Sequence, residues 1–92
     1  MKRIMPTISM FFGLIIRMYY APNEHPPPHF HVYYGDTKAT VDICSCEIKE
    51  GNLPRRQTKL VLAWAELHQE DLIANWTLVM NGEEPFRIPP LQ

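Results

Sequence analysis

Hydrophobic positions change their period near residue 54, and that change divides the chain into a strand-rich part and a helical part. Ile, Phe and Tyr crowd the stretch from Ile8 to Tyr20, and Gly13 interrupts it. β-branched and aromatic residues suit pleated, half-buried strands, and tight two-residue turns favour glycine. The pattern predicts strands over residues 7–11 and 14–20 joined by a Phe12-Gly13 turn. In the second strand, Ile15, Arg17 and Tyr19 share one face, while Leu14, Ile16, Met18 and Tyr20 share the other. Residues 21–28 hold four prolines and read as a rigid, polyproline-like loop. Further strands follow over 29–34 and 38–43, separated by Gly35-Asp36, with a short fifth over 47–49.

Beyond Pro54, which suits a first helical turn, Leu60, Ala63, Trp64 and Leu67 recur at helical spacing and predict a helix over 54–68. Six successive apolar residues, Leu60 to Ala65, make it apolar over more than one stripe. Such a helix is central to a core or partly covered by another chain, and an uncovered remainder marks an interface. A second helix over 69–81 carries Leu72, Ile73, Trp76, Val79 and Met80 on one face, and Asn81-Gly82 caps it. Pro89-Pro90 makes the tail an edge or linker. The fold class expected is α+β: an antiparallel sheet of four to five strands packed by two C-terminal helices. One domain over 1–92 is expected, with a β-rich part at 5–53, two helices at 54–82 and an extended tail at 83–92.

Composition narrows the function classes. Hydrophobic residues are 46% and charged residues 21%, which excludes a disordered chain. A formal charge of −1 excludes the global basic field of a DNA-coating protein. The charge is uneven, however: residues 1–60 hold eight Lys/Arg against five Asp/Glu, and residues 61–92 hold one against five. Cys44 and Cys46 lie one residue apart, a strained span for a disulfide, so reduced thiols and a cytoplasmic location are expected. Lys2-Arg3 and the apolar run to Ile16 imitate a signal peptide, but Pro6, Thr7 and Ser9 interrupt that run and Arg17 ends it. The run is also too short to cross a membrane.

The densest chemical feature is His25-Pro26-Pro27-Pro28-His29-Phe30-His31. On a strand, His29 and His31 point to one face and can present two imidazoles to a phosphate or a metal. They are the candidate catalytic residues, as acid and base in RNA cleavage. Joined by Cys44 or Cys46 they would approach a His₂Cys₂ set, but the spacing fits no standard zinc pattern, so no metal and no cofactor are expected. Arg55, Arg56 and Lys59 open the first helix, where cations oppose its dipole. With Arg17, and Lys38 in support, they are the candidate phosphate or nucleic-acid contacts. Tyr19, Tyr20, Tyr33 and Tyr34 can stack bases or simply cover the sheet, and His68, between Glu66 and Glu70, reads as structural.

The order of segments resembles a bacterial domain-of-unknown-function family, number 4160. The resemblance lies in Met5-Pro6-Thr7-Ile8, Phe11-Phe12-Gly13, the His25–Val32 block, Leu53-Pro54-Arg55-Arg56, Trp64-Ala65-Glu66-Leu67-His68, Asn75-Trp76 and Asn81-Gly82, over about residues 5 to 88. It implies a companion protein of a second small family, number 2442, encoded alongside in a toxin–antitoxin-like pair. Cys44-Ser45-Cys46 stands where relatives look to have an ordinary polar or glycine turn, which argues against a cysteine-bound metal. The function expected is a toxin-like component acting on or near RNA or other nucleic acid. The alternatives are a non-catalytic interaction or regulatory module, and a metal-binding enzyme or sensor. The partners expected are the neighbouring small protein or a second copy of the chain, with RNA or DNA as target and no membrane.

Overall fold

Phe12 and Gly13 adopt φ of +49° and +81°, the left-handed pair that a two-residue hairpin turn requires. They join β1 (Thr7–Phe11) to β2 (Leu14–Arg17) in a computed structural model that describes residues 6–92. Lys2, Arg3 and Met5 lie outside the described residues. β3 (His29–Tyr34), β4 (Thr37–Asp42) and β5 (Glu47–Gly51) continue as antiparallel neighbours in the order β1-β2-β3-β4-β5. α1 (Arg55–Leu67) and α2 (Gln69–Met80) complete the α+β fold.

Two strand ends differ from the sequence pattern by more than one residue. β2 ends at Arg17 rather than residue 20, because the following loop turns toward α2, where the Ala21 amide donates to the Val79 carbonyl at 3.1 Å. β5 runs two residues further than expected, to Gly51. The tail is docked: the Ile88 amide donates to the Ile8 carbonyl of β1 at 2.9 Å. Buried Asn75 pairs with the tail too, its amide donating to the Phe86 carbonyl and its oxygen accepting from the Phe86 amide. This satisfies a polar side chain that would otherwise be costly inside the core.

The core lies between one sheet face and the helices. Trp64 of α1 is fully buried, 5.2 Å from the Phe11 ring and 5.9 Å from the Phe30 ring, and its indole N–H donates to the Pro89 carbonyl. Of the apolar run in α1, Val61, Trp64 and Ala65 are buried and Leu60 and Leu62 pack half-buried against the core. That leaves only Ala63 of the run outward, with exposed Leu67 just beyond it, less apolar surface than the run suggests. No helix among the described residues is long and apolar enough to cross a membrane.

At the β4–β5 turn, Asp42 accepts the Ser45 amide at 2.8 Å, and that backbone bond holds its carboxyl below the usual carboxylate range. Gly51 ends β5 at φ +75°, with no room for a side chain: a Cβ there would lie 2.2 Å from the Lys38 carbonyl oxygen. Gly82 shares the same φ but has open space around it. Gly82→Ala therefore carries only the left-handed strain, about 1–2 kcal/mol. Gly51→Ala adds a backbone clash and destabilises more than Gly82→Ala. Urea unfolding midpoints of the two variants check this order; equal midpoints would contradict it.

Candidate functional site

Side chains alternate across a strand, so the buried Phe30 and Val32 of β3 commit His29, His31 and Tyr33 to the opposite, open face. The register brings neighbours to the same face. Arg17 of β2 pairs with His31, His31 with Thr40 of β4, and Thr40 with Glu50 of β5. In the adjacent row, Ile15 pairs with Tyr33 and Tyr33 with Lys38.

Glu24, from the proline loop, joins the two histidines. His31 Nε2–H donates to its Oε2 at 2.5 Å, and His29 Nε2 lies 2.7 Å from its Oε1. His29 Nδ1–H donates to the Pro27 carbonyl at 2.8 Å, because a carbonyl can only accept. Both His29 nitrogens are therefore engaged, Nδ1 by the Pro27 carbonyl and Nε2 by the Glu24 carboxylate. His31 differs: its Nδ1 has no protein partner among the described residues and keeps a lone pair.

Aromatic contacts fix both rings. Tyr19 stacks on His31 with centroids 4.4 Å apart, and Trp76 of α2 lies 5.0 Å from the His29 ring. The hydroxyls of Tyr19 and Tyr33 share a hydrogen bond of 2.7 Å, and the Arg17 guanidinium sits 5.7 Å above the Tyr33 ring. The Arg17 Nε is buried without a partner. Burial and the bond to Tyr19 push the Tyr33 phenol up to about 12, so it remains a hydrogen-bond donor at neutral pH. Beside these residues runs a groove of about 310 Å³ lined by Tyr19, His31, Tyr33, Lys38, Thr40 and Glu50 among others.

The structure thus brings together His29, His31 and Arg17 of the residues singled out in the sequence, and adds Glu24. It keeps Arg55, Arg56 and Lys59 apart: they line a separate depression with Leu60 on α1, the helix whose Trp64 covers the other sheet face. His25 is exposed and outside the cluster; exposed Cys44 and half-buried Cys46 lie outside it too. The Cys46 thiol donates to the Leu62 carbonyl, and burial, then Glu66, push it up to about 11, so it stays protonated. His68 packs on Trp64 at the break between the helices.

A family model described as a domain of unknown function (DUF4160) matches residues 13–77, more than half of the chain, and spans the whole His–Glu–His cluster. The chain belongs to this family. The DUF4160 match runs from the end of the first hairpin turn into α2, narrower than the resemblance over residues 5 to 88. β1 and the docked tail lie outside it. No curated protein and no solved structure matches the chain.

Proposed function

We propose that this DUF4160 protein is the toxin-like component of a bacterial two-protein module and acts on RNA at the open sheet face. The observation that supports it most is the pairing of a free imidazole nitrogen, His31 Nδ1, with a carboxylate that orients the same ring from behind. That is the logic of an oriented general base: the carboxylate fixes the tautomer, and the exposed nitrogen takes the proton. Arg17, Lys38 and the Tyr19–Tyr33 hydroxyl pair supply the donors that a phosphodiester needs beside it.

In this reading, His31 Nδ1 removes the proton from a ribose 2′-hydroxyl. The 2′-oxygen attacks phosphorus, the bond to the 5′-oxygen breaks, and Lys38 protonates the leaving oxygen. The products are a 2′,3′-cyclic phosphate and a 5′-hydroxyl. His29, with both nitrogens engaged, positions Glu24 rather than touching substrate. Arg55, Arg56 and Lys59 do not reach the same phosphate from the far side of the sheet, and serve in this reading as a secondary nucleic-acid contact. The cognate protein of family 2442, or a second copy, would pair along the outer edge of β5, which borders no further strand among the described residues.

Growth on expression tests the module. The protein alone arrests growth, and co-expression of the neighbouring family 2442 protein restores it. Unimpaired growth with the folded protein expressed alone would contradict the toxin role.

A further inference from the structure

The spacing of histidines in the sequence points away from a metal, because the third donor is a carboxylate from the proline loop that no standard ligand pattern includes. In the fold, one donor atom each from Glu24, His29 and His31 lie within 4.8 Å of one another. We infer that Glu24, His29 and His31 form a binding site for Zn²⁺, of the two-histidine, one-carboxylate class, and that occupancy silences the centre.

Four features carry this. The donor set is that of an open metal site, in which two imidazoles and a carboxylate leave coordination positions for solvent. Two atoms each 2.0–2.1 Å from a tetrahedral zinc sit about 3.3–3.4 Å apart, and the three donor atoms, all within 4.8 Å of one another, need move by no more than about 1.5 Å to reach that spacing. His29 already donates its second N–H to the Pro27 carbonyl, the outer bond that orients metal-bound histidines and raises their basicity. Lastly, the His29 and His31 rings meet edge to face at 79°, held by Trp76 and Tyr19, so both Nε2 atoms are aimed before any ion arrives. The side chains are 10–20% exposed, which leaves solvent and an ion a way in.

The cation takes the place between His29 and Glu24 that their hydrogen bond now fills. At His31 the effect is sharper. Zn²⁺ on Nε2 leaves the ring's single proton on Nδ1, and the lone pair used as a base becomes an N–H donor. The inhibition rests on the RNA-cleaving reading proposed above; the binding does not.

Calorimetric titration of metal-free, untagged protein with ZnCl₂ at micromolar concentration tests the site. One ion binds per chain, and Glu24→Ala, His29→Ala and His31→Ala each weaken binding by at least about 10–100-fold, while His25→Ala and His68→Ala leave it unchanged. Imidazole ¹⁵N resonances keep the test sound if a variant unfolds: in the wild type, Zn²⁺ moves the Nε2 signals of His29 and His31 and spares those of His25. Absence of stoichiometric binding overturns the site, as does binding that survives Glu24→Ala and His31→Ala but is lost in His25→Ala. Stoichiometric binding by a protein that cleaves no RNA upholds the site and refutes the RNA reading alone.

Discussion

His31→Ala lowers the rate of RNA cleavage by about 10²–10⁴-fold, the usual contribution of a general base. The residue is partly exposed on the open face and its side chain lies outside the core, so the variant folds. Glu24→Gln gives a smaller loss: the amide keeps the shape but can offer its NH₂ group to His31 Nε2 and so favour the wrong tautomer. His29→Ala also costs less than His31→Ala, because it loosens Glu24 without removing the base. Initial rates on a fluorescent oligoribonucleotide, with circular dichroism to verify folding, measure all three. A folded His31→Ala protein with wild-type activity would remove His31 from the chemistry.

Trp64→Ala has the largest expected effect on stability, a loss of about 3–5 kcal/mol. Trp64 is fully buried, touches Phe11 of β1 and Phe30 of β3, and anchors the tail through Pro89. Truncation empties a large volume where sheet, helix and tail converge, and orphans the Pro89 carbonyl. Domains of this size are stable by only about 5–15 kcal/mol, so the loss removes much of the total. Trp76→Ala, on a residue 8% exposed, costs less and bears instead on the His29 ring that it supports. Thermal and urea unfolding separate the two. A Trp64→Ala protein within 1 kcal/mol of wild type would mean that the core closes over the gap.

Much of the fold was legible because its signals are local. The Phe12-Gly13 turn, the alternation through His29–Tyr34 and the helical spacing from Leu60 to Met80 each follow from a few neighbouring residues. What escaped depends on distant partners. β2 stops early because Ala21 bonds to α2, and the tail docks because Trp64 and Asn75 offer it donors and acceptors. The site shows the same division. His29, His31 and Arg17 share a face by period and register alone. Glu24 was missed because a loop residue's direction has no period, although its place at the head of Glu24-His25-Pro26-Pro27-Pro28-His29 ties it through rigid prolines to the strand it serves. Arg55, Arg56 and Lys59 group with Arg17 by charge, which says nothing about which side of a sheet a helix covers.

One substrate pair tests directly whether a ribose hydroxyl is the attacking group. An oligoribonucleotide and the same strand with a 2′-deoxynucleotide at the cleavage site are incubated with the purified, metal-free protein, and the products are read by mass spectrometry. The first strand yields a 2′,3′-cyclic phosphate and the second stays intact at that position. Equal cleavage of both, or cleavage of neither by protein shown to be folded, would contradict attack by the hydroxyl.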